Sequence, residues 1–355
     1  MNKLSVCVLF GGVSPEHEVS LRSAESVLSN MDSEKYNIYP VGITKEGDWI
    51  LYGDNDYSTL PTGRWLECSD NRKATISPIR GQGLLSFEGD CVVRERIDVV
   101  FPVLHGENGE DGAVQGLLQL AGIPVVGPGI AASAVAMDKT LTKLVADSEN
   151  VDQAKWLLVK KVELQNHIEN ILDTVESHFS YPVFIKPAGT GSSVGVSKAA
   201  DRDQLKDALW LAGNYDEKIL VEEFIDGREV EVAVMGNDSP VASVCGEIDA
   251  GAEFYDYDAK YHTDSSVAYI PARISEDVAE QVRENAIKIY SALGCKGLSR
   301  VDFFVTKDNR IVFNEINTIP GFTSISMYPK LFAASGIPYM ELIDELLRLA
   351  LEACG

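Results

Sequence analysis

Apolar runs alternate with amphipathic stretches in the N-terminal third of the chain. Residues 4–10 form a continuous apolar run, which is typical of a strand buried on both faces of a parallel sheet. Ser14 and Pro15 predict the N-cap and first position of a helix that continues to about Asn30. Further strands are predicted at 36–43, 96–104 and 123–126. Alternating strands and helices predict a parallel α/β sheet, whose ligands bind beyond the carboxyl ends of the strands.

Beyond residue 156 the pattern changes to short segments in which apolar and polar positions alternate. These segments are 156–162, 181–188, 193–198, 218–225 and 229–236. Period-two alternation predicts antiparallel strands, so this part of the chain is expected to be α+β. Residues 127–140 predict a helical crossing into this second unit. A helix, a hairpin and a terminal helix from Tyr339 to Ala353 are predicted to complete the chain.

The hairpin carries the strongest chemical signal. Alternation on both sides of a turn at 307–309 predicts two paired strands. Because strand side chains alternate with period two, Asp302 and Glu315 are predicted to face one side, and Arg300 has the same parity as Asp302. Asn317 adds an amide to this group.

Carboxylate and amide oxygens are hard ligands, so this set suits Mg²⁺ and not zinc or copper. A cation beside such a cluster suits phosphoryl or acyl-phosphate chemistry. An exposed hairpin with ordinary surface charges would explain any one of these residues. It is a poor explanation for all four followed by Pro320, Gly321 and a loop rich in serine and threonine.

A second signal is the glycine-rich segment 186–195, KPAGTGSSVG. Glycines let backbone N–H groups close on phosphate oxygens, and serines add donors, so the segment predicts a phosphate-binding loop. It is not a Walker A loop, because the lysine precedes the glycines and no helical pattern follows. A flexible hairpin is the alternative interpretation.

Several weaker signals can also be explained by an ordinary structural or surface role. The strand end at 221–225, followed by Glu229, could read an adenine edge and a ribose, or could be a strand with a solvated acidic face. Lys139 falls within a helical pattern and alone would be a surface lysine. His105, at a strand end, could orient a substrate carboxylate or another side chain, although a lone histidine is more often structural. Glu16 could hold an ammonium group.

The composition limits the classes of partner that the chain can be expected to bind. The formal charge of −23 argues against nucleic acid and anionic membranes, and it means that an anionic substrate needs local cations. No stretch approaches about 18 consecutive apolar residues, so no transmembrane helix is expected. The N-terminal apolar run lacks a cleavage site of small residues, and six scattered cysteines fit a reducing compartment, so a cytoplasmic location is expected.

Eight segments, taken in order, resemble the D-alanine–D-alanine ligase family of ATP-grasp enzymes. They are GGVSPEHEVSL, HGENGEDG, MDK, KPAGTGSSVG, EEFIDGREVEV, FYDYDAKY, SRVDFF and NEINTIPGFTSISMYP. The resemblance covers nearly the whole chain. It implies an α/β, ATP-grasp fold with an N-terminal parallel α/β domain at 1–126, a central subdomain at 127–225 and a C-terminal subdomain at 226–355.

The resemblance implies that ATP phosphorylates the carboxylate of a first D-alanine and that the amine of a second D-alanine attacks the acyl phosphate. The products would be D-alanyl-D-alanine, ADP and phosphate, for peptidoglycan precursor synthesis. The expected cofactors are ATP and two Mg²⁺ ions, for which Mn²⁺ can substitute. A homodimer is the assembly that the family suggests.

The resemblance also implies roles for individual residues. Catalytic roles are implied for Glu16, Ser192, Tyr261, Arg300 and Gly321. Substrate contacts are implied for His105, Lys260, Ser326 and Met327. The nucleotide site is expected to contain Lys139, Lys186, Ser193, Glu222, Glu223, Phe224, Ile225, Glu229 and Phe304. The metal ligands are expected to be Asp302, Glu315 and Asn317.

Within this set, Glu16 is expected to hold the ammonium group of the first D-alanine, and Ser192 to link it to Tyr261. Arg300 and the backbone of Gly321 are expected to stabilise the oxyanion. The polar segment 249–268 is a candidate lid that would shield the acyl phosphate from water.

Alternatives to a D-alanine–D-alanine ligase stay open. A D-alanine–D-serine ligase of the resistance type is the nearest, although many such enzymes carry arginine where Met327 stands. Lactate-type relatives lack the pair found here as Lys260 and Tyr261. A different ATP-grasp carboxylate–amine ligase is disfavoured by segments 254–261 and 323–329. A non-catalytic nucleotide-binding regulator would be expected to have lost part of the hairpin set.

Overall fold

The computed structural model describes residues 3–191, 194–249 and 267–354. Three sheets follow one another along the chain. The first is a seven-stranded sheet with the order β6-β5-β4-β3-β2-β1-β7. Its strands are β1 (Leu4–Gly11), β2 (Tyr36–Ile43), β3 (Trp49–Leu51), β4 (Arg72–Ile76), β5 (Leu84–Glu88), β6 (Cys91–Glu95) and β7 (Val99–Pro102). The accompanying helices are α1 (His17–Asn30) and α2 (Ala113–Ala121), whereas α3 (Ile130–Met137) follows them in the chain and buries Ala132 and Ala136 in the core of the third sheet.

The second sheet is antiparallel, with the order β10-β9-β11-β8. Its elements are α4 (Lys139–Ser148), β8 (Trp156–Lys160), α5 (Lys161–His178), β9 (Val183–Pro187), β10 (Ser197–Ala199), α6 (Arg202–Gly213) and β11 (Lys218–Glu223). Helices α5 and α6 bury their apolar faces against one side of this sheet. Side chains on the other side of the sheet, among them Lys186 and Glu222, line the cleft described below.

The third sheet is also antiparallel, with the order β15-β14-β12-β16-β17 and β13 paired to β12. Its elements are β12 (Gly227–Gly236), β13 (Val241–Ala242), β14 (Gly246–Asp249), β15 (Val267–Tyr269), α7 (Glu276–Ala292), β16 (Gly297–Thr306), β17 (Ile311–Asn317), α8 (Met327–Ala334) and α9 (Tyr339–Glu352). The predicted hairpin and terminal helix are confirmed.

The N-terminal sheet is mixed, so the prediction of a parallel sheet is wrong in part. Only β1 pairs in parallel, with β2 and β7. From β2 to β6 the strands form an antiparallel meander. Strands β5 and β6 are joined by two residues, of which Gly89 has φ of 57°, the left-handed conformation that tight hairpins require. Strands this short leave only a weak alternation pattern in the sequence.

Three predicted elements begin or extend differently. Helix α1 starts at His17 and not at the predicted Pro15, because Ser14 forms a turn in which its Oγ accepts from Glu16 N at 3.0 Å. Segment 123–126 makes only one bridge to β7, and Pro124 lacks the N–H that a longer ladder would need. Within 193–198, the strand begins only at residue 197, after a turn at Gly195 with φ of 74°.

One apolar core joins the N-terminal sheet to the C-terminal helices. Phe10 and Phe101 from the sheet share this core with Phe322, Tyr328 and Phe332. The rings of Phe101 and Phe322 meet edge to face at 5.7 Å. The loop that follows the hairpin is therefore packed onto the first sheet. Domain boundaries at 126/127 and 225/226 stay a prediction.

Among the described residues, no helix has the length and apolar character needed to cross a membrane.

Candidate active site

A cleft of about 1110 Å³ lies between the second and third sheets. Strands β9 and β11 contribute to it from the second sheet, and β12, β16 and β17 from the third. The volume suffices for a nucleotide, since pockets for small ligands span roughly 300–1,000 Å³. Predicted site residues in its lining are Lys139, Lys186, Glu222, Glu223, Phe224, Ile225, Glu229, Arg300, Asp302, Phe304 and Glu315.

Lys186 is held in this cleft by a buried carboxylate. Glu222 Oε2 lies 2.6 Å from Lys186 Nζ, and its Oε1 lies 2.6 Å from Lys143 Nζ. Burial opposes ionisation of Glu222, but the charges and hydrogen bonds of the two lysines outweigh it and lower the pKa of Glu222 to about 2. Burial also opposes the charge of Lys186, yet the negative charge of Glu222 raises the pKa of Lys186 overall. The cleft therefore keeps a fixed ammonium group where a phosphate could bind.

Lys143→Met is expected to lower both stability and the affinity for ATP, the nucleotide that the family resemblance implies. Lys143 is 2% exposed, and methionine fills similar space without the charge. Breaking a buried ion pair leaves an uncompensated charge, so the free energy of unfolding is expected to fall by about 3 kcal/mol. Glu222 would lose one of its two anchors and fix the Lys186 ammonium less well, which should raise KM for ATP.

Chemical denaturation and steady-state kinetics measure these two effects. Lys206→Met is the matched control, because Lys206 lies on the surface of α6, where it pairs with Glu169 at 3.3 Å, and it is not part of the cleft lining. It is expected to change neither quantity. Unchanged stability and unchanged KM for ATP in Lys143→Met would contradict the anchoring role.

The hairpin has the predicted register, with Asp302 opposite Glu315 and Arg300 opposite Asn317. Arg300 donates to both oxygens of Asp302, from Nε to Oδ1 at 2.8 Å and from Nη2 to Oδ2 at 2.7 Å. Its Nε also lies 3.2 Å from Oε2 of Glu231. Burial opposes the charge of Arg300, but Asp302 and Glu231 outweigh it and raise the pKa of Arg300. The guanidinium is therefore a permanent, oriented cation.

The hairpin offers two carboxylates and one amide as metal donors. Asn317 Nδ2 donates to Oδ2 of Asp302 at 2.9 Å, so the amide belongs to the same cluster. Within the parts of the chain that the structure describes, no three or more His, Cys, Asp or Glu side chains form a complete metal cage. Two carboxylates fit Mg²⁺ that takes its other ligands from substrate phosphates and water.

Lys139 connects the phosphate loop to the hairpin. Its Nζ donates to the carbonyl of Thr190 at 2.7 Å and lies 3.9 Å from Oε2 of Glu315. Its backbone N–H donates to the carbonyl of Ala188 at 3.0 Å. This lysine therefore stands between the loop predicted to hold phosphate and the predicted metal ligands.

Glu16 lies where the N-terminal unit meets the phosphate loop. A Cβ added to Gly191 would lie 3.3 Å from Oε2 of Glu16, and one added to Gly106 would lie 2.9 Å from the same atom. Residue 106 also has φ of 67°, so a side chain there would be strained as well as crowded. The carboxylate is thus next to the loop of His105 and next to the loop that leads into residue 192.

His105 and Glu110 form a buried polar group beside Glu16. His105 Nδ1 lies 3.0 Å from the carbonyl of Ile319, and its Nε2 lies 3.4 Å from Oγ of Ser23. Burial lowers the pKa of His105. Burial, with a smaller contribution from the charge of Glu16, raises the pKa of Glu110 to about 8. The two distances show that both ring nitrogens of His105 have protein neighbours.

The loop after the hairpin holds the remaining predicted residues. Ser326 accepts from Thr323 N at 3.0 Å and exchanges a hydroxyl hydrogen bond with Oγ1 of Thr323 at 2.7 Å. A Cβ on Gly321 would lie 2.9 Å from Oγ of Ser326. The side chain of Met327 points into the core, where a Cβ on Gly246 would collide with its Cε. What residue 327 can present to a ligand is its backbone N–H in the first turn of α8.

The far end of the cleft is aromatic. Phe184 and Phe224 stack with centroids 6.0 Å apart and an interplanar angle of 23°. The ammonium of Lys198 lies 4.7 Å from the centroid of Phe224. Glu229 and Phe304 are paired across β12 and β16. A flat base could enter between this aromatic pair and the third sheet.

Four predicted site residues lie outside the described residues. These are Ser192, Ser193, Lys260 and Tyr261. Residues 250–266 of the candidate lid are outside them too.

Comparisons with known proteins agree on one family. The family model for the D-ala D-ala ligase N-terminus matches residues 5–128, and the one for the D-ala D-ala ligase C-terminus matches residues 145–348. The chain belongs to the D-alanine–D-alanine ligase family. The D-alanine--D-alanine ligase of Caldicellulosiruptor bescii is 52% identical over 356 residues, 99% of this chain and 96% of that protein. That of Acetivibrio thermocellus is 49% identical over 364 residues, again 99% and 96%.

Solved structures give the same answer for the fold of this ligase-family chain. The VanG D-Ala:D-Ser ligase from Enterococcus faecalis superposes with a TM-score of 0.89 at 39% identity, covering 98% of this chain and all of that one. The D-alanine-D-alanine ligase from Coxiella burnetii superposes with a TM-score of 0.84 at 35% identity, covering 99% and 96%. The expected ATP-grasp architecture is confirmed.

Four residues that contact the predicted site residues or their loops were not predicted from the sequence. Lys143 follows Lys139 by four positions, on the buried face of α4, which is a readable signal. Glu231 has the parity of Glu229 on β12, so period two would also have found it. Glu110 and Ser23 gave no such signal, because their partners lie 209 and 299 residues away.

Proposed function

We propose that this chain joins two D-alanines into D-alanyl-D-alanine, with conversion of ATP into ADP and phosphate. One observation carries the proposal. The lysines predicted to bind phosphate, Lys139 and Lys186, lie in the same cleft as the carboxylates of the hairpin. Lys139 lies 3.9 Å from Glu315, and Arg300 binds Asp302 on the neighbouring strand. Positive charge beside metal donors supports the transfer of a phosphoryl group in this part of the cleft.

The chemistry needs an activated carboxylate, because a free carboxylate is a poor electrophile. A carboxylate oxygen of the first D-alanine attacks the γ-phosphorus of ATP, the bond to ADP breaks, and an acyl phosphate forms. The neutral amine of the second D-alanine then attacks the carbonyl carbon, and the C–O bond to phosphate breaks. Lys139 and Lys186 hold the phosphates, while Arg300 and the Gly321 N–H stabilise the developing oxyanion.

Asp302, Glu315 and Asn317 would hold Mg²⁺ in two sites shared with the nucleotide phosphates, and Mn²⁺ can replace it. The bound metal would neutralise charge on the transferred phosphoryl group. The chain's own contribution is to fix the two carboxylates on paired strands, with Arg300 and Asn317 bonded to Asp302.

We assign the first D-alanine to the N-terminal side of the cleft, with its ammonium at Glu16 and His105 near its carboxylate. The second D-alanine is assigned to Ser326 and the backbone of Met327. Glu222, Glu223, Phe224 and Ile225 would surround the adenine, with Glu229 at the ribose and Phe304 and Ser193 nearby. Ser192, Lys260 and Tyr261 keep the roles that the family resemblance implies.

A cytoplasmic homodimer that supplies peptidoglycan precursors is part of this proposal. The near-50% identity to ligases over the whole chain supports the peptidoglycan role, whereas the homodimer and the cytoplasmic location rest on the family resemblance and on the composition.

A D-alanine–D-serine ligase is the second candidate. The observation in its favour is the structural match to the VanG D-Ala:D-Ser ligase, at 39% identity and a TM-score of 0.89. Met327 argues for D-alanine, since its side chain is packed in the core and so provides no polar partner for the hydroxyl group of a serine.

The product distinguishes these candidates. The purified protein would be given Mg²⁺-ATP with D-alanine alone, with D-alanine plus D-serine, and with D-alanine plus D-lactate, and products would be identified by mass. We expect D-alanyl-D-alanine in every mixture and as the main product. Faster phosphate release with D-serine and a mixed dipeptide would favour the second candidate. No product with any acceptor would contradict ligation.

A further inference from the structure

The loop that carries Gly321 is fastened to the N-terminal unit by three side chains. Glu110 Oε1 accepts from the N–H of Ile319 at 3.1 Å. His105 Nδ1 lies 3.0 Å from the carbonyl of the same residue. Ser23 Oγ accepts from the N–H of Phe322 at 3.2 Å. These contacts join segments that are far apart in sequence.

The contacts fix the two peptide groups that flank the Pro320–Gly321 peptide, whose N–H belongs to Gly321. The carbonyl of Ile319 belongs to the peptide before Pro320, and the N–H of Phe322 belongs to the peptide after Gly321. Pro320 restricts its own φ, so little freedom remains between the two fastened groups. The hydroxyl of Tyr339 donates to the carbonyl of Phe322 at 2.5 Å and closes the far end. The direction of the Gly321 N–H is therefore set from outside its own loop.

Glu110 performs a double task in this arrangement. Its second oxygen, Oε2, accepts from the N–H of Gly106 at 2.8 Å. One carboxyl group therefore joins the loop that follows His105 to the loop that follows the hairpin. Ser23 is fully buried on α1 and also lies 3.4 Å from Nε2 of His105. Glu110, Ser23 and His105 therefore contact both the loop assigned to the first substrate and the loop that carries Gly321.

We propose that Glu110 and Ser23 are positioning residues, which hold the Gly321 N–H towards the oxyanion and tie it to the first-substrate pocket. The inference rests on the proposed function, in which that N–H stabilises the tetrahedral intermediate. An oxyanion donor acts only when its direction is set before the reaction, because reorienting it would consume its stabilisation. Neither residue needs to touch a substrate for this role.

Glu110→Gln and Ser23→Ala test the proposal. Glutamine keeps the size of Glu110 but turns an NH₂ group towards one of the two N–H donors, and alanine removes the acceptor for Phe322. Asp111→Asn is the matched control, because Asp111 caps N–H groups of Asn108 and Ala113 within its own loop. All three purified proteins and the wild type would be compared.

Three quantities separate positioning from general damage. They are kcat, the affinity for ADP, and the affinity for a phosphinate analogue of the dipeptide, whose tetrahedral phosphorus imitates the intermediate. In Glu110→Gln we expect kcat and phosphinate affinity to fall by about 10- to 100-fold, in keeping with the effect of a misplaced group on catalysis. Ser23→Ala should show a smaller loss in the same two quantities. ADP affinity should stay within about twofold, since the nucleotide cleft is not altered.

Hydrogen exchange supplies a readout that needs no turnover. The amides of Ile319 and Phe322 should exchange faster in the two variants and unchanged in Asp111→Asn. Wild-type kcat and phosphinate affinity in both variants would overturn the inference. So would a parallel loss of ADP affinity and thermal stability, which would mark the contacts as merely structural. Failure of the wild-type protein to form dipeptide would instead overturn the proposed function, and the positioning role with it.

Discussion

Glu315→Gln is expected to abolish dipeptide formation and leave the fold intact. Glutamine keeps the shape of the side chain but removes one of the two carboxylates that face each other across the hairpin. It also removes the negative charge 3.9 Å from Lys139. Loss of a charged group that acts on the transferred phosphoryl should lower kcat by at least about 1,000-fold.

Steady-state phosphate release measures the loss of turnover, and thermal unfolding measures whether the fold is intact. Asp308→Asn is the matched control, since Asp308 is a carboxylate at the turn of the same hairpin, accepts from the hydroxyl of Thr306 and is not part of the cleft lining. It should retain wild-type turnover. Turnover near the wild-type rate in Glu315→Gln would overturn the assignment of the metal site.

Arg300→Lys is expected to reduce kcat by about 100-fold or more, because a single ammonium cannot replace the two-pronged contact. The guanidinium bonds both oxygens of Asp302 and also reaches Glu231. Lysine keeps the charge, so the variant isolates geometry from electrostatics. Stability should fall as well, since Asp302 and Glu231 lose part of their compensation.

A double measurement distinguishes a damaged site from a damaged fold. Arg283→Lys is the control, because Arg283 pairs with Glu276 and Glu280 on α7 and lies outside the cleft lining. Its kcat should match that of the wild type. If Arg300→Lys also kept full activity, the oxyanion role of the guanidinium would be wrong.

The distribution of charge explains how an acidic chain can bind an anionic nucleotide. The net charge of −23 repels ATP at long range, so binding must depend on local cations. The cleft concentrates Lys139, Lys186, Lys198 and Arg300 in its lining. Glu222 does not cancel Lys186 for a ligand, because Lys143 shares that carboxylate from the buried side.

Local patterns predicted the parts of the site that depend on local geometry. The register of Asp302 with Glu315 followed from period two and a turn of known length, and both lie in one hairpin. Lys186 at the end of an apolar strand followed in the same way. Lys139 did not, because a helical lysine has no distinguishing pattern, and it came only from the family resemblance.

The elements that sequence missed depend on contacts at long range or on short strands. The meander of β3 to β6 has strands of three to five residues, too short for a clear alternation. Glu110 and Ser23 meet their partners only after the C-terminal loop packs on the first sheet. Such contacts are decided by the assembled core, which no window of sequence contains.

The most direct test of the central claim follows oxygen atoms from D-alanine into phosphate. The wild-type protein would be given Mg²⁺-ATP and D-alanine labelled with ¹⁸O in both carboxylate oxygens. Mass spectrometry would measure the ¹⁸O content of the phosphate and the amounts of phosphate and dipeptide. Attack of the carboxylate on the γ-phosphorus, followed by attack of the amine on the carbonyl carbon and departure of phosphate, predicts one ¹⁸O in each phosphate and one dipeptide per phosphate. Unlabelled phosphate, or phosphate release without dipeptide, would contradict ligation through an acyl phosphate.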